Sequence, residues 1–400
     1  DLTHTLNPNG TDSTPPEPSM PAFENDVHNQ VRDLARRFTR EKVMPNAVTW
    51  DEQGGYPREL IAEMGALGFM GITVPEEWGG AGLDNVASAL VLEEISAGCG
   101  AMGIIVSGHN AVGCMPILEF GTDDQKERYL KPFARGEKLT AFALTEPTGG
   151  SDVAQLKTRA ERHNDRYVLN GTKQFITSGS TADVALIFAT TDANAPRGKG
   201  ITGFIVPTDS PGYVVDRVEN KMGLKASDTC VITLDGLEVP FENRLGEEGQ
   251  GYKIALSNLE GGRIGIGAQA VGIARAALEA AIDYARQRVA FGVPISEHQA
   301  VAFRLADMAT ELEAARQLVL YAARLKDNGQ PSLQQASMAK LKASEMAEQI
   351  CSDAIQTFGG YGYMEDYPVA RLARDARGTK IYEGANDIQR LVISRALLAS

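Results

Sequence analysis

Apolar residues recur along this chain with two different periods, and the switch between them divides the sequence into three stretches. From about 24 to 140 the spacing is helical. Val27, Val31, Leu34 and Phe38 fall three or four apart and predict a single apolar stripe. Leu60, Met64 and Leu67 repeat the step before Gly68. Ala87, Val91 and Ile95, with Leu92 alongside, predict a further helical face. V-P-E-E-W-G-G-A-G (74–82) reads as a turn-rich break. Thr122, followed three residues later by Gln125, predicts a helix start closed by a capping box.

From about 141 to 245 the pattern becomes that of strands. V-A-L-I-F-A-T (184–190), T-G-F-I-V-P (202–207) and C-V-I-T-L-D-G-L-E-V-P (230–240) are β-rich runs bounded by Gly, Pro and Asp. Asn170-Gly171, inside Y-V-L-N-G-T-K-Q-F-I-T (167–177), and Asp235-Gly236 both predict hairpin turns. From about 250 the helical period returns in longer runs. Val271, Ala274, Leu278, Ile282 and Ala285 make one stripe; Leu312, Ala315, Leu318, Val319, Ala322 and Leu325 make another. Such stripes suit a helix bundle. The expected fold class is α+β: a helical domain (21–140), a middle β-domain (141–248) and a C-terminal four-helix bundle (249–400). Residues 1–20, polar and Pro-rich, are expected to form a disordered leader.

Composition narrows the function without naming it. The 400 residues suffice for two or three domains, and 43% hydrophobic with 23% charged content is that of an ordinary globular protein. A formal charge of −13 argues against nucleic acid as a partner. No apolar run in the sequence approaches the roughly 20 residues of a bilayer span. Cys99, Cys114, Cys230 and Cys351 are scattered. Two disulfides are possible on count, but the spacing favours reduced thiols and offers no metal-ligand pattern. No metal site is expected.

Four segments stand apart from this background. They are A-L-T-E-P-T-G-G-S-D (143–152), R-V-A-F-G (288–292), Q-T-F-G-G-Y-G-Y (356–363) and I-Y-E-G-A-N-D-I-Q-R (381–390). Taken singly, each has a bland reading: a Gly-rich turn, a helix stop, an interhelical loop, and a surface glutamate before a helix. Taken together, they resemble the acyl-CoA dehydrogenase family from about residue 22 to the end. They are most similar to its short-chain (butyryl-CoA) and short branched-chain types.

The resemblance implies a flavoprotein oxidoreductase of fatty-acid metabolism. Removing hydrogens from carbons α and β of a thioester needs a base, a polarised carbonyl and a hydride acceptor, and no side chain accepts hydride. The chain has no G-x-G-x-x-G between a strand and a helix. The family's answer is FAD bound without that fingerprint. The resemblance makes Glu383 the base, with a pKa raised by a water-poor pocket and with its own N–H directed to the thioester carbonyl.

Phe142, Leu144, Thr145, Gly150 and Ser151 are expected to line the flavin, with Gly149 easing backbone approach. Phe175, standing where Trp is common, and Thr177 are expected against the ring. Arg288, Phe291 and Gln299, with Gln356, Gly359 and Gly360, are implied to reach the FAD of a neighbouring subunit. Ala385, replacing a common Thr, and Asp387 complete the expected cofactor contacts. Ser151, Glu260, Arg263 and Gly384 are expected at the substrate. A minority of the family carries its base on an earlier helix, at the position of Gly262 here, so that location is disfavoured. Gln155 stands where the family pattern has a small residue.

The implied partners are an acyl-CoA, an electron-transferring flavoprotein and further copies of the chain in a homotetramer arranged as a dimer of dimers. The implied location is the bacterial cytoplasm, with the mitochondrial matrix also open. An acyl-CoA oxidase and a catalytically silent subunit on the same scaffold are the competing readings.

Overall fold

The computed structural model describes residues 25–154 and 156–399; the leader expected at 1–20 and Gln155 lie outside the described residues. Five helices dominate the first third: α1 (Asp26–Phe38), α2 (Ala47–Gln53), α3 (Glu59–Ala66), α4 (Asn85–Gly98) and the continuous helical run α5 (Gly100–Phe120). The expected stripe of α1 is only partly used. Phe38 is buried and Val31 and Leu34 pack against the core, whereas Val27 is exposed. α4 is buried nearly all round because helices cover it on several sides. The capping box forms as expected: Gln125 N–H donates to Thr122 Oγ1 (3.2 Å), and Thr122 N–H donates to Gln125 Oε1 (3.1 Å). α5 is long and apolar enough, by length and composition, to cross a bilayer, a feature the sequence reading overlooked. However, 78% of its most apolar 18-residue stretch is buried inside the protein, so its apolar character is accounted for by packing.

The middle of the chain forms one sheet of eight strands. These are β1 (Thr140–Ala143), β2 (Arg159–His163), β3 (Arg166–Thr177), β4 (Val184–Thr190), β5 (Ile201–Pro207), β6 (Tyr213–Val218), β7 (Thr229–Pro240) and β8 (Arg244–Leu245). Their order is β6-β7-β3-β2-β4-β5-β8, with β1 parallel to β4.

Neither predicted hairpin exists. Asn170-Gly171 lies inside β3 and Asp235-Gly236 inside β7, and the two strands run antiparallel across both dipeptides. Leu169 pairs with Leu237 and Gly171 with Leu234, so β7 carries one extra residue there: a bulge. Gly236 adopts φ +59° and its N–H donates to Asn170 Oδ1 (2.8 Å). The residues that would have turned each chain back instead absorb an irregularity shared by the two strands.

Beyond the sheet come α6 (Gly251–Leu256), α7 (Leu259–Gln287), α8 (Gln299–Asp327), α9 (Leu333–Phe358), α10 (Pro368–Gly378) and α11 (Asn386–Leu398). α7 packs between α4 and α9 in the main core. Buried charges join the two helical parts. Arg275 of α7 contacts Glu93 (3.0 Å) and Glu94 (2.7 Å) of α4, and Arg316 of α8 contacts Glu93 (2.7 Å). Asp327, at the end of α8, accepts the N–H groups of Asn85 (2.8 Å) and Val86 (3.1 Å), capping α4 from outside. The four cysteines are buried and none is in a disulfide.

Candidate active site

Glu383 stands on the turn between α10 and α11. It is a non-glycine residue at φ +51°, followed by Gly384 at φ +90°. Two left-handed residues in succession cost conformational energy and persist only where surroundings enforce them. Here the enforcement is explicit. The Gly384 carbonyl accepts from Lys340 Nζ (2.8 Å) and from Gln389 Nε2 (2.8 Å). Lys340 also donates to Asn386 Oδ1 (3.1 Å), and Asn386 N–H donates to Lys380 O (3.0 Å). On the other side of Glu383, Tyr382 OH donates to Gln269 Oε1 (2.6 Å), while Gln269 Nε2 donates to Gly100 O (2.8 Å). The turn is therefore tied to α5, α7, α9 and α11.

So held, the carboxylate lies against the first turn of α7. A Cβ built on Gly262 would fall 2.6 Å from Glu383 Oε2. The space that a side chain at 262 would need is taken by the Glu383 carboxylate itself. Burial pushes the Glu383 carboxyl up to about 6, while Lys340 and Arg263 pull it back. Arg263 is buried, donates through Nη1 to Ser337 Oγ (3.1 Å), and has an Nε with no hydrogen-bond partner. Glu260 is half-buried on α7; the helical residue that Glu383 meets is Gly262.

A second cluster forms where β1 leads into 143–152. Glu146 turns inward and accepts from Lys173 Nζ (2.9 Å) and from the N–H groups of Lys157 (2.6 Å) and Thr158 (3.0 Å). Lys173 is fully buried in β3 and also donates to Leu144 O (3.2 Å). Gln174 N–H donates to Thr145 O (2.9 Å). Burial opposes ionisation of Glu146, yet Lys173 and the backbone donors hold it below the usual carboxylate range. Burial draws Lys173 down to about 8 against the attraction of Glu146.

Immediately after this clasp β3 bulges between Lys173 and Ile176. The bulge sets Phe175 at φ +58° with 64% of its surface exposed. A large aromatic held in a strained conformation and facing solvent, beside a Gly-rich loop, suits a flat ligand. Phe142, Leu144, Thr145 and Thr177 are partly exposed, and Gly150 and Ser151 are exposed.

The remaining expected residues sit elsewhere. Val289–Ala290 and Val293–Pro294 form a small hairpin after α7, with Phe291 (φ +55°) and Gly292 (φ +88°) at its tip. Beside the cofactor role implied by resemblance, the local pattern reads as a helix stop and gives no sign of this hairpin. Phe291 is 97% exposed. Arg288, Gly359 and Gly360 line a cleft of 530 Å³ together with Tyr284, Phe358 and Tyr361. Gln299 and Gln356 are exposed. None of Phe142, Leu144, Thr145, Phe175 or Glu383 lines this cleft, so the expected cofactor residues divide into two groups within one chain. Ala385 is half-buried on the Glu383 turn, and Asp387 is exposed in the first turn of α11.

Sequence reasoning missed Lys340, Gln269 and Gln389, and it missed the Glu146–Lys173 pair. One signal was present: Lys340 interrupts the apolar stripe of Ala336, Ala343, Ala347 and Ile350 on α9. A cation at a core position calls for a partner.

The chain thus carries a strained, clamped glutamate of raised pKa and, on its sheet, an exposed aromatic bulge tied to a Gly-rich loop. Family comparison gives the class its name. The N-terminal, middle and C-terminal domains of acyl-CoA dehydrogenase match residues 25–137, 141–237 and 249–398. The chain belongs to the acyl-CoA dehydrogenase family of FAD-dependent oxidoreductases. It is 51% identical over 368 residues to an acyl-CoA dehydrogenase of Bacillus subtilis (strain 168), covering 92% of this chain and 97% of that one. The solved butyryl-CoA dehydrogenase of Megasphaera elsdenii is 43% identical with a TM-score of 0.92, covering 95% of this chain and 100% of that one. A chain in the structure described as electron transferring flavoprotein of Acidaminococcus fermentans is 45% identical, TM-score 0.93, with the same coverage.

Proposed function

We propose that this protein dehydrogenates a short-chain acyl-CoA to its trans-2-enoyl-CoA, with Glu383 abstracting the α-proton. The observation that carries this reading is the seat of Glu383: a carboxylate at raised pKa, fixed by its neighbours and pressed into the gap at Gly262. A base with a pKa near 6 is mostly ionised at neutral pH yet retains driving force for a carbon acid once water is excluded. The Glu383 N–H supplies a donor for the thioester carbonyl as enolate charge develops. Gly384, Ser151, Glu260 and Arg263 contact the substrate.

Bound FAD supplies the hydride acceptor that the chain lacks. Phe142, Leu144, Thr145, Gly150, Ser151, Phe175, Thr177, Ala385 and Asp387 hold it, and the Glu146–Lys173 clasp keeps the loop and the Phe175 bulge in register. Arg288, Phe291, Gln299, Gln356, Gly359 and Gly360 serve the FAD of a neighbouring subunit. Their separation from the Glu383 group within one chain supports a homo-oligomer, a dimer of dimers.

The butyryl-CoA dehydrogenase neighbour supports the short-chain assignment. The Acidaminococcus neighbour supports an electron-transferring flavoprotein as acceptor. The Bacillus relative supports a bacterial cytoplasmic setting. The domain division is 21–140, 141–248 and 249–400. An anaerobic titration with butyryl-CoA, followed by flavin absorbance, tests the reading. Bleaching with butyryl-CoA, stronger than with long or branched thioesters, is the expected result. Bound flavin that no acyl-CoA bleaches would sink it.

A further inference from the structure

Lys340 lies in the first third of α9 and is completely buried. Buried ammonium groups ordinarily sit against a carboxylate, because desolvating an unpaired charge is costly. Lys340 does not. Its hydrogen-bond partners are the neutral Gly384 carbonyl (2.8 Å) and Asn386 Oδ1 (3.1 Å), both on the turn that bears Glu383. Ser344, one turn along α9, holds Asn386 from the other side (3.0 Å). A neutral amide could cap the same carbonyl at a smaller desolvation cost, so the hydrogen bonds alone do not account for a full charge here. What a charge adds is an electrostatic field at Glu383.

The charged and titratable groups facing Glu383 are few. Arg263 approaches from α7 and Lys340 from α9; Tyr382 is its neighbour on the turn, and Glu260 acts on Arg263. We infer that Lys340 is a positioning residue for the reaction, fixing the Glu383–Gly384 turn through the Gly384 carbonyl and setting a positive charge behind the base. The inference rests on Glu383 being that base. It is supported by the opposed effects on the two groups. Burial raises Glu383 to about 6, with Lys340 the stronger of the two attractions that restrain it, and burial lowers Lys340 to about 8. Between those values the base has lost its proton while the ammonium keeps its own.

The test uses flavin-loaded protein and an acyl-CoA with sulfur in place of the β-carbon, which can yield its α-proton but cannot be desaturated. Exchange of its α-hydrogen in deuterated water, followed by NMR across pH 5–9, reads the base directly. Lys340→Met and Lys340→Gln are expected to move the rising limb about one pH unit upward and to slow exchange at pH 6 roughly fivefold. Lys340→Arg is expected to leave the limb in place. Where Lys340→Met yields too little folded protein, Lys340→Gln decides, since its amide can still donate to Gly384.

A limb unmoved in the neutral variants, with flavin content and melting temperature retained, overturns the inference. So does a limb that moves in Lys340→Met but not in Lys340→Gln, because the hydrogen bond alone would then explain it. Glu383→Gln is run beside them. Exchange near wild type there removes the base assignment itself, whereas lost exchange there with an unmoved Lys340 limb removes only the present inference.

Discussion

The carboxylate of Glu383 occupies the volume that a side chain on Gly262 would fill, its Oε2 only 2.6 Å from where that Cβ would stand. One position lies on the turn before α11 and the other in the first turn of α7, so the carboxylate is seated by a missing side chain 121 residues earlier in the sequence. The clash is with the far end of a flexible side chain, so a methyl at 262 displaces the carboxylate rather than the helix.

Gly262→Ala should therefore leave folding nearly intact and damage catalysis. Ala is also the better helix former, by about 1 kcal/mol over Gly, which offsets small packing losses. A displacement of the base by about 1 Å can cost on the order of 100-fold in rate. The expected result is an unchanged melting temperature and flavin content with single-turnover flavin reduction slowed by roughly that factor. A normal reduction rate would show that Glu383 tolerates the intrusion and that its seat is loose.

The raised carboxyl at Glu383 fixes two signs. With Glu383 as the proposed base, activity requires its ionised form, so reductive half-reaction rates should climb as pH rises through about 6 and level off above 7. Stability runs the other way. A carboxyl whose folded pKa is raised favours the fold below its ordinary value of 4.5, and this contribution is lost as pH rises through the folded value. Glu383→Gln escapes that loss. It should be more stable than wild type at pH 8, by roughly 1 kcal/mol, with the gap closing near pH 5. Turnover in the same variant should fall by several orders of magnitude. Thermal melts at both pH values, set beside stopped-flow traces, check both signs; a wild-type rate would end the assignment.

Lys173 and Glu146 predict a different phenotype. Removing one member of a buried pair leaves the other uncompensated, typically at a cost of about 3–5 kcal/mol. Lys173→Met should destabilise the protein by roughly that amount and release flavin more readily, because Lys173 also supports Leu144. Glu146→Gln in the Lys173→Met background should recover part of the loss. A double-mutant cycle on flavin retention and melting temperature measures the coupling. Additive effects would mean that the two residues act separately.

Helices α1, α3, α4, α7 and α8 and four of the eight strands were legible because burial on one side leaves a period: β4 spans the residues 184–190 read as a β-rich run. Glu383 was legible only through its neighbours in sequence. Lys340 and Lys173 were not, because what explains them is a contact 44 residues away for one and 27 for the other. The two hairpin signals failed for a physical reason. Asn-Gly and Asp-Gly report that the backbone can reach left-handed or otherwise unusual angles, and a bulge needs that permission as much as a turn does. Which of the two forms depends on the strand opposite, and no local pattern reveals it.

That distinction can be tested at the bulge itself. A Cβ on Gly171 would fall 2.5 Å from Thr158 Oγ1 and 2.7 Å from Thr158 Cα, whereas a Cβ on Gly236 would meet nothing within 4 Å. Gly171→Ala must therefore shift backbone that leads directly into β2 and lies beside the Lys157–Thr158 donors of Glu146. It should cost about 1–3 kcal/mol and weaken flavin retention as well. Gly236→Ala meets only the strain of φ +59°, a cost of about 1 kcal/mol, and should leave flavin untouched. A tight hairpin at either site would reverse this order, since there the strain at the turn would dominate both substitutions. Urea melts of the two variants, with flavin content measured in each, separate the cases: equal losses of stability would contradict the bulge.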